Sequence, residues 1–183
     1  MDFLLNPVTI LIVLNVLIFL SPYVLDFSKS GLTSQESLLE LGWKENFSIK
    51  NGEYYRLLTS IFLHGDALHL LSNMWALWIF GSSFSSLPLL FVAIYFASGL
   101  VGSLFSFFFN PHPSIGASGA IFGLVGALLA IGINSNFSSN LVSNLLVYIV
   151  LSFMLSALPG TRIDLWGHLG GLTGGFIIGF ILN

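Results

Sequence analysis

The sequence predicts an all-α membrane protein: a bundle of six transmembrane helices with a long loop after the first. Composition points there first, because 55% of the 183 residues are hydrophobic and only 7% are charged. A soluble domain carries about a quarter charged residues, so this chain is too poor in charge to maintain a water-facing surface. The second observation is that Ala67 to Thr161 contains no Asp, Glu, Lys or Arg. A run of that length reads as several membrane spans in succession. The third is that turn formers divide the apolar sequence at nearly even intervals, into segments of about 18–22 residues that cross the ~30 Å hydrocarbon core as helix. The length suits a single domain, residues 1–183.

The predicted spans are Pro7–Leu25, Ala67–Phe84, Pro88–Phe109, Ile115–Ile133, Leu141–Leu158 and Leu165–Leu182. The breaks between the later ones are Ser85-Ser86-Leu87-Pro88, Asn110-Pro111-His112-Pro113, the Asn- and Ser-rich stretch from Asn134 to Asn140, and Pro159-Gly160. The first apolar run has neither a basic leader nor a small-residue cleavage signal, so it is read as a helix of the mature protein and not a signal peptide. Asp26 to Asp66 forms the one long connection and holds most of the charge. Within it, Thr33-Ser34-Gln35-Glu36 has the form of a capping box. Leu38, Leu39, Leu41 and Trp43 follow, which predicts a short amphipathic helix at the lipid surface. A plain surface loop with interfacial aromatics fits that composition equally well.

Six spans place both termini on one side, so the second, fourth and sixth helices run in the same direction. Their N-terminal ends share the membrane face that carries the long loop. Near those ends lie His64, His69 and Asn73 on the second helix, Ser118 within Gly116-Ala117-Ser118-Gly119 on the fourth, and His168 on the sixth. His69, Asn73, Ser118 and His168 fall within about two turns of their helix starts, roughly 3–10 Å below the face. A single Ser in a membrane helix is ordinarily satisfied by its own backbone, and a single Asn serves as interhelical glue. Four such groups from three helices at one depth suggest a site, because polar groups in a membrane turn towards the bundle interior or a water-filled cavity.

Glycines supply a way to join them. The sixth helix carries Gly167, Gly171, Gly175 and Gly179 at spacing four, and the fourth carries Gly116, Gly119 and Gly123 with Ala120 and Ala127. Small residues so spaced let two helix backbones approach closely. His168 shares a face with Gly171 and Gly175, so packing of these two helices brings His168 towards Ser118.

A serine hydroxyl is a weak nucleophile until a base takes its proton, and His168 is the only His on the sixth helix. A tetrahedral intermediate then needs donors for its oxyanion. The Ser118 backbone N–H sits in a first helical turn, where it has no intrahelical partner and the helix dipole favours negative charge. His69 and Asn73, four residues apart, share a helix face and offer side-chain donors. Other chemistries fit worse. No His-Glu-x-x-His zinc motif occurs, and His64 and His69 are badly spaced for one metal. Only Asp66 and Asp164 lie near helix ends for an aspartyl pair. The soluble-hydrolase elbow Gly-x-Ser-x-Gly fails at Ala120. With no cysteine, thiolate chemistry and disulfides are excluded. No cofactor or metal is expected, and no basic patch invites nucleic acid.

These residues together resemble the rhomboid family of intramembrane serine proteases. Gly116-Ala117-Ser118-Gly119 resembles its Gly-x-Ser-Gly motif, and His64, His69 and Asn73 its second-helix motif. His168, Gly171 and Gly175 resemble its sixth-helix His-x-x-Gly-x-x-x-Gly, and Tyr55-Arg56 its first-loop aromatic–Arg pair. The resemblance spans nearly the whole chain and implies a minimal six-helix bacterial type. It implies Ser118 as nucleophile, His168 as base, and His69, Asn73 and the Ser118 backbone as oxyanion donors. Gly116, His64 and Gly171 would support them, with Phe122 packed on the imidazole. It further implies a laterally embedded first loop, a mobile cap between the last two spans, and single-span membrane-protein substrates within the lipid bilayer. Ser85 stands where the family often has Glu, which leaves Arg56 without its expected partner. The positively charged Lys29, Lys44, Lys50, Arg56 and Arg162 all fall on the loop side, which the positive-inside rule would make cytoplasmic. The resemblance implies the reverse: an integral, multi-pass protein of the bacterial inner membrane, its site opening to the extracytoplasmic side. A non-cutting relative and a small transporter are the rival readings. The first commonly lacks the Ser or His, and the second would show an inverted repeat, which is absent here.

Overall fold

The computed structural model describes residues 6–25, 35–134, 139–158, 161 and 163–182. In chain order the helices are α1 (Pro7–Leu25), α2 (Gln35–Glu40), α3 (Asn46–Lys50) and α4 (Arg56–Thr59), which runs into a 3₁₀ turn (Ser60–Phe62). Then come α5 (Ala67–Ser82), α6 (Pro88–Phe109), α7 (Ser118–Asn134), α8 (Ser139–Ser156) and α9 (Leu165–Ile181). The fold is all-α, and among the described residues the strand-like pairing is one isolated antiparallel bridge, Lys44 with Ser114.

The six long helices stand where six spans were predicted, with one informative shift. α7 begins at Ser118 and not at Ile115. Gly116 adopts φ +122°, outside the helical region and open chiefly to glycine. Its N–H donates to the Ser60 carbonyl at 2.9 Å, while Ser114 exchanges two 3.0 Å backbone bonds with Lys44. Residues 114–116 are therefore pinned to the first loop, and the helix starts only after them.

Three helices are shorter than a full span. α5, α7 and α9 have 16, 17 and 17 residues, about 24–26 Å at the α-helical rise. Among the described residues, only Pro88–Phe109 is by itself long and apolar enough to cross a bilayer. The three short helices are the ones whose first turns line the polar cavity described below. The outer surface has the character of a lipid-facing one: Leu68, Leu71, Trp75, Leu89, Val147, Met154, Ile177 and Phe180 are all more than half exposed. In water that would be an apolar patch far beyond what a soluble monomer shows.

The first loop is more structured than the sequence suggested. The Thr33-Ser34 half of the capping box lies outside the described residues, but α2 follows it, with Ser37 and Leu38 buried. α2 thus packs inward on one side. Glu45 caps α3, accepting from the N–H groups of Phe47 (2.9 Å) and Ser48 (2.7 Å). Arg56 is buried and does have a carboxylate partner, which corrects the expectation raised by Ser85. Its Nε donates to Glu53 at 2.7 Å and its Nη1 to the Leu39 carbonyl at 2.8 Å. The loop is thus anchored from within, three residues away, with no need of the far end of α5. Lys44, fully buried, donates to the carbonyls of Asn110 and His112, both at 2.8 Å. Together with Asn46, which donates to the Phe107 and Asn110 carbonyls, it satisfies acceptors left open where α6 ends. Burial pulls the Lys44 ammonium down to about 8, against the pull of Asp164 and Glu45.

α9 packs into the groove between α6 and α7. A Cβ placed on Gly171 would fall on the Gly119 carbonyl, and one on Gly175 on the Gly123 carbonyl, far inside any real carbon–oxygen contact. The second face is nearly as tight. A Cβ on Gly170 would lie 2.6 Å from the Phe105 Cβ and 2.9 Å from the Val101 carbonyl oxygen. Gly170, a quarter-turn round the helix from Gly171, would seem from sequence the more tolerant site, but α9 is enclosed on both sides. Gly174 has more room, its nearest neighbour being the Val101 side chain at 3.2 Å. Overpacking a core costs about 1–3 kcal/mol. Gly175→Ala should therefore melt several degrees below the parent in detergent, and Gly174→Ala close to it. Equal melting of the two variants would mean that the α7 and α9 backbones lie further apart than described.

Candidate active site

One cavity of about 550 Å³ opens where α5, α7 and α9 begin, and His69, Asn73, Gly116, Ser118, Phe122 and His168 all line it. The α7 start supplies Ser118 in its first helical position. The Ser118 Oγ lies 2.8 Å from Nε2 of His168, a full hydrogen bond between residues fifty positions apart. Glycine makes this possible: Gly119 and Gly171, one residue beyond Ser118 and three beyond His168, are the point of backbone contact.

The imidazole is fixed on three sides. Phe122, one turn along α7, stacks on it with centroids 4.4 Å apart and planes 26° from parallel. Phe153 of α8 meets it edge-on at 6.5 Å. Ser156 of α8 reaches the second ring nitrogen, Nδ1, at 3.3 Å. His168 itself is buried, so its ring has little freedom to turn.

α5 contributes the opposite wall. Asp66 caps it by accepting from the His69 N–H at 2.8 Å, which sets the first turn. A Cβ on Gly116 would sit 2.8 Å from His69 Nε2 and 3.6 Å from Asn73 Nδ2. The His69 ring therefore leaves no room for a side chain on the backbone that leads into Ser118, and the Asn73 amide lies in ordinary contact distance of it. The Asn73 Nδ2 is buried with no protein acceptor among the described residues. A buried amide donor beside a cavity is stabilised by any oxygen that enters it.

Two of the sequence candidates stand apart from this group. His64 is buried behind His69, edge-on at 5.0 Å between centroids, and does not line the cavity. Gly171 acts through packing alone. His112 is exposed on the loop after α6. The mobile cap expected between α8 and α9 would include Pro159, Gly160 and Arg162, which lie outside the described residues. No cluster of metal-ligating side chains occurs among the described residues.

Asp164 is the residue that sequence reasoning passed over, having weighed it only as half of an aspartyl pair. It caps α9, accepting from the Gly167 N–H at 3.1 Å, and takes a short hydrogen bond from the Ser106 hydroxyl of α6. Its place as N-cap four residues before His168 was a readable signal. Burial works against its charge, but hydrogen bonds from Ser106, Ser114 and Gly167 and the nearby Lys44 hold the carboxyl below its ordinary 3.8.

The family model for the Rhomboid domain matches residues 51–183, which takes in every cavity residue just described. The chain belongs to the Rhomboid family. Over 168 residues this rhomboid chain is 40% identical to Rhomboid protease GluP of Bacillus subtilis (strain 168), covering 90% of its own length and 32% of that protein. It is 37% identical to RHOMBOID-like protein 5 of Arabidopsis thaliana, covering 80% of its own length and 50% of that one. It is also 41% identical over 93 residues to Inactive RHOMBOID-like protein 8 of the same plant, covering 49% and 26%. The rhomboid chain thus spans between a quarter and half the length of these relatives.

The Asp164 arrangement has a pH signature. Because its pKa is depressed in the fold, the carboxylate adds stability above the ordinary value of 3.8, and this is lost as pH falls through the lower folded value. Asp164→Asn should melt several degrees below the parent at pH 7, and the gap should close in acid. A gap unchanged between pH 7 and pH 3 would show that the charge of Asp164 contributes nothing.

Proposed function

We propose that this chain is an intramembrane serine endopeptidase that hydrolyses peptide bonds in or near transmembrane segments of membrane proteins, using Ser118 and His168 as a dyad. The observation that carries the reading is the 2.8 Å approach of Ser118 Oγ to His168 Nε2 inside a cavity. In this reading His168 accepts the Ser118 proton as Oγ attacks the scissile carbonyl carbon. The oxyanion so formed is met by the Ser118 N–H at the positive end of α7 and by the side-chain donors of Asn73 and His69. The imidazolium then protonates the leaving amine, and water, with His168 again as base, frees the acyl group from Ser118. The serines along the cavity, among them Ser72, Ser103, Ser106 and Ser152, give that water a polar route below the membrane surface.

Substrates are proposed to be single-span membrane proteins presented from the bilayer. The site is proposed to open to the extracytoplasmic side of a bacterial plasma membrane. A purely binding role is the second reading, since one relative is named inactive. What favours catalysis is that the nucleophile, the base and the unpaired amide donor are all present and adjacent.

A fluorophosphonate probe applied in detergent should label Ser118, and Ser118→Ala should abolish both labelling and cleavage of a single-span test substrate. Cleavage that survives in Ser118→Ala would end the protease reading. Asn73→Ala should lower kcat by about 10²–10³ while KM changes little, the usual cost of an oxyanion donor. A change confined to KM would make Asn73 a packing residue.

A further inference from the structure

The dyad reading leaves one proton unaccounted for. If Ser118 donates to Nε2 of His168, that nitrogen must hold a lone pair, and the neutral ring must carry its hydrogen on Nδ1. A buried N–H needs an acceptor. Among the described residues, the group within reach of Nδ1 is the Ser156 Oγ at 3.3 Å, on a different helix, with both residues less than a tenth exposed. Ser156 has only one hydrogen to give, and it is already committed: its Oγ donates to the Ser152 carbonyl at 2.8 Å, the back-bond to i−4 that helical serines make. Its lone pairs therefore face the ring. The donors align in one direction, His168 Nδ1–H to Ser156 Oγ–H to the Ser152 carbonyl.

We infer that Ser156 is a positioning residue for the dyad, which holds His168 in the Nδ1–H tautomer and so keeps the Nε2 lone pair on Ser118. It touches neither substrate nor the reacting atoms, and it acts only through the imidazole. The role resembles that of the buried carboxylate in a soluble triad, whose loss puts the ring in the wrong tautomer. Here the acceptor is neutral, so its effect is smaller. α8 thereby has a direct part in the chemistry: Phe153 and Ser156, three residues apart on one face, contact the ring by its edge and by its second nitrogen. If α8 moves away from α9, the proton-accepting nitrogen is no longer specified.

The inference rests on the dyad reading, and its test separates the two. Ser156→Val and Ser156→Thr have nearly the same shape, but only Thr keeps a hydroxyl able to make the same i−4 back-bond. In the parent, ¹⁵N signals of the His168 ring at neutral pH in detergent should show the Nδ1–H tautomer, assigned by comparison with His168→Ala. In Ser156→Val they should move towards a mixture with Nε2–H, and kcat should fall roughly tenfold, part of the 10²–10⁴ a general base supplies, with KM within twofold. Ser156→Thr should match the parent in both. The inference is overturned if the parent ring is Nε2–H, if Val keeps the parent tautomer, or if Thr loses as much kcat as Val, which would make the effect one of packing. A parent that cleaves nothing but shows the tautomer shift would sink the protease reading and leave the Ser156 contact standing.

Discussion

The close approach of α9 to α7 through bare glycine backbone is the constraint on which everything else in this molecule depends. Two helices in lipid gain no hydrophobic drive by associating, because the tails are as apolar as their side chains. What holds them is dispersion contact, and that requires the axes to come near. Gly119, Gly123, Gly171 and Gly175 remove the side chains that would keep them apart. The same contact lies one residue from Ser118 and three from His168. The glycine contact therefore serves both the stability of the bundle and the 2.8 Å geometry of the pair.

The second requirement is water. Polar side chains below a membrane face, where a helix would ordinarily be apolar throughout, need water or one another. The structure meets this by opening the cavity where α5, α7 and α9 begin, with α7 starting only at Ser118, three residues later than Ile115. The late start of α7 leaves irregular backbone at membrane level, which is tolerated only where it is buried in protein or lines a wet cavity. The first loop does that covering. Lys44 and Asn46 satisfy the carbonyls at the end of α6, and Ser60 holds Gly116. Arg56 then binds the loop to itself through Glu53. The buried Lys44 thus ties the first loop to the segment after α6, and the buried Arg56 ties the loop to itself.

Much of this was legible in the sequence because the signals were local or periodic. The six spans follow from hydropathy and turn residues, and the α7–α9 contact from glycines at spacing four. The shared depth of His69, Asn73, Ser118 and His168 follows from helix direction alone. What could not be read was set by contacts between distant segments. The delayed start of α7 depends on Ser60 and Lys44, more than fifty residues away. The partner of Arg56 is Glu53, three residues before it, and not position 85 at the far end of α5, a choice that only the fold of the loop decides. Ser156 carried no signal, since a serine near a helix end is ordinary until a histidine nitrogen is seen against it. Gly170 seemed freer than Gly171 because the sequence shows the spacing of small residues but not how many helices flank them.

The account is tested most directly by Gly171→Val, which removes no reacting group and places a branched side chain at the α7–α9 contact. A displacement of about 1 Å in a catalytic pair can cost on the order of 10²-fold in rate. The measurement is the rate at which a fluorophosphonate phosphonylates Ser118, taken beside the melting temperature in the same detergent. The account predicts that labelling slows by at least that factor and that melting drops by several degrees. Labelling at the parental rate in a variant of parental stability would contradict it, because Ser118 and His168 would then meet by some route other than the glycine contact.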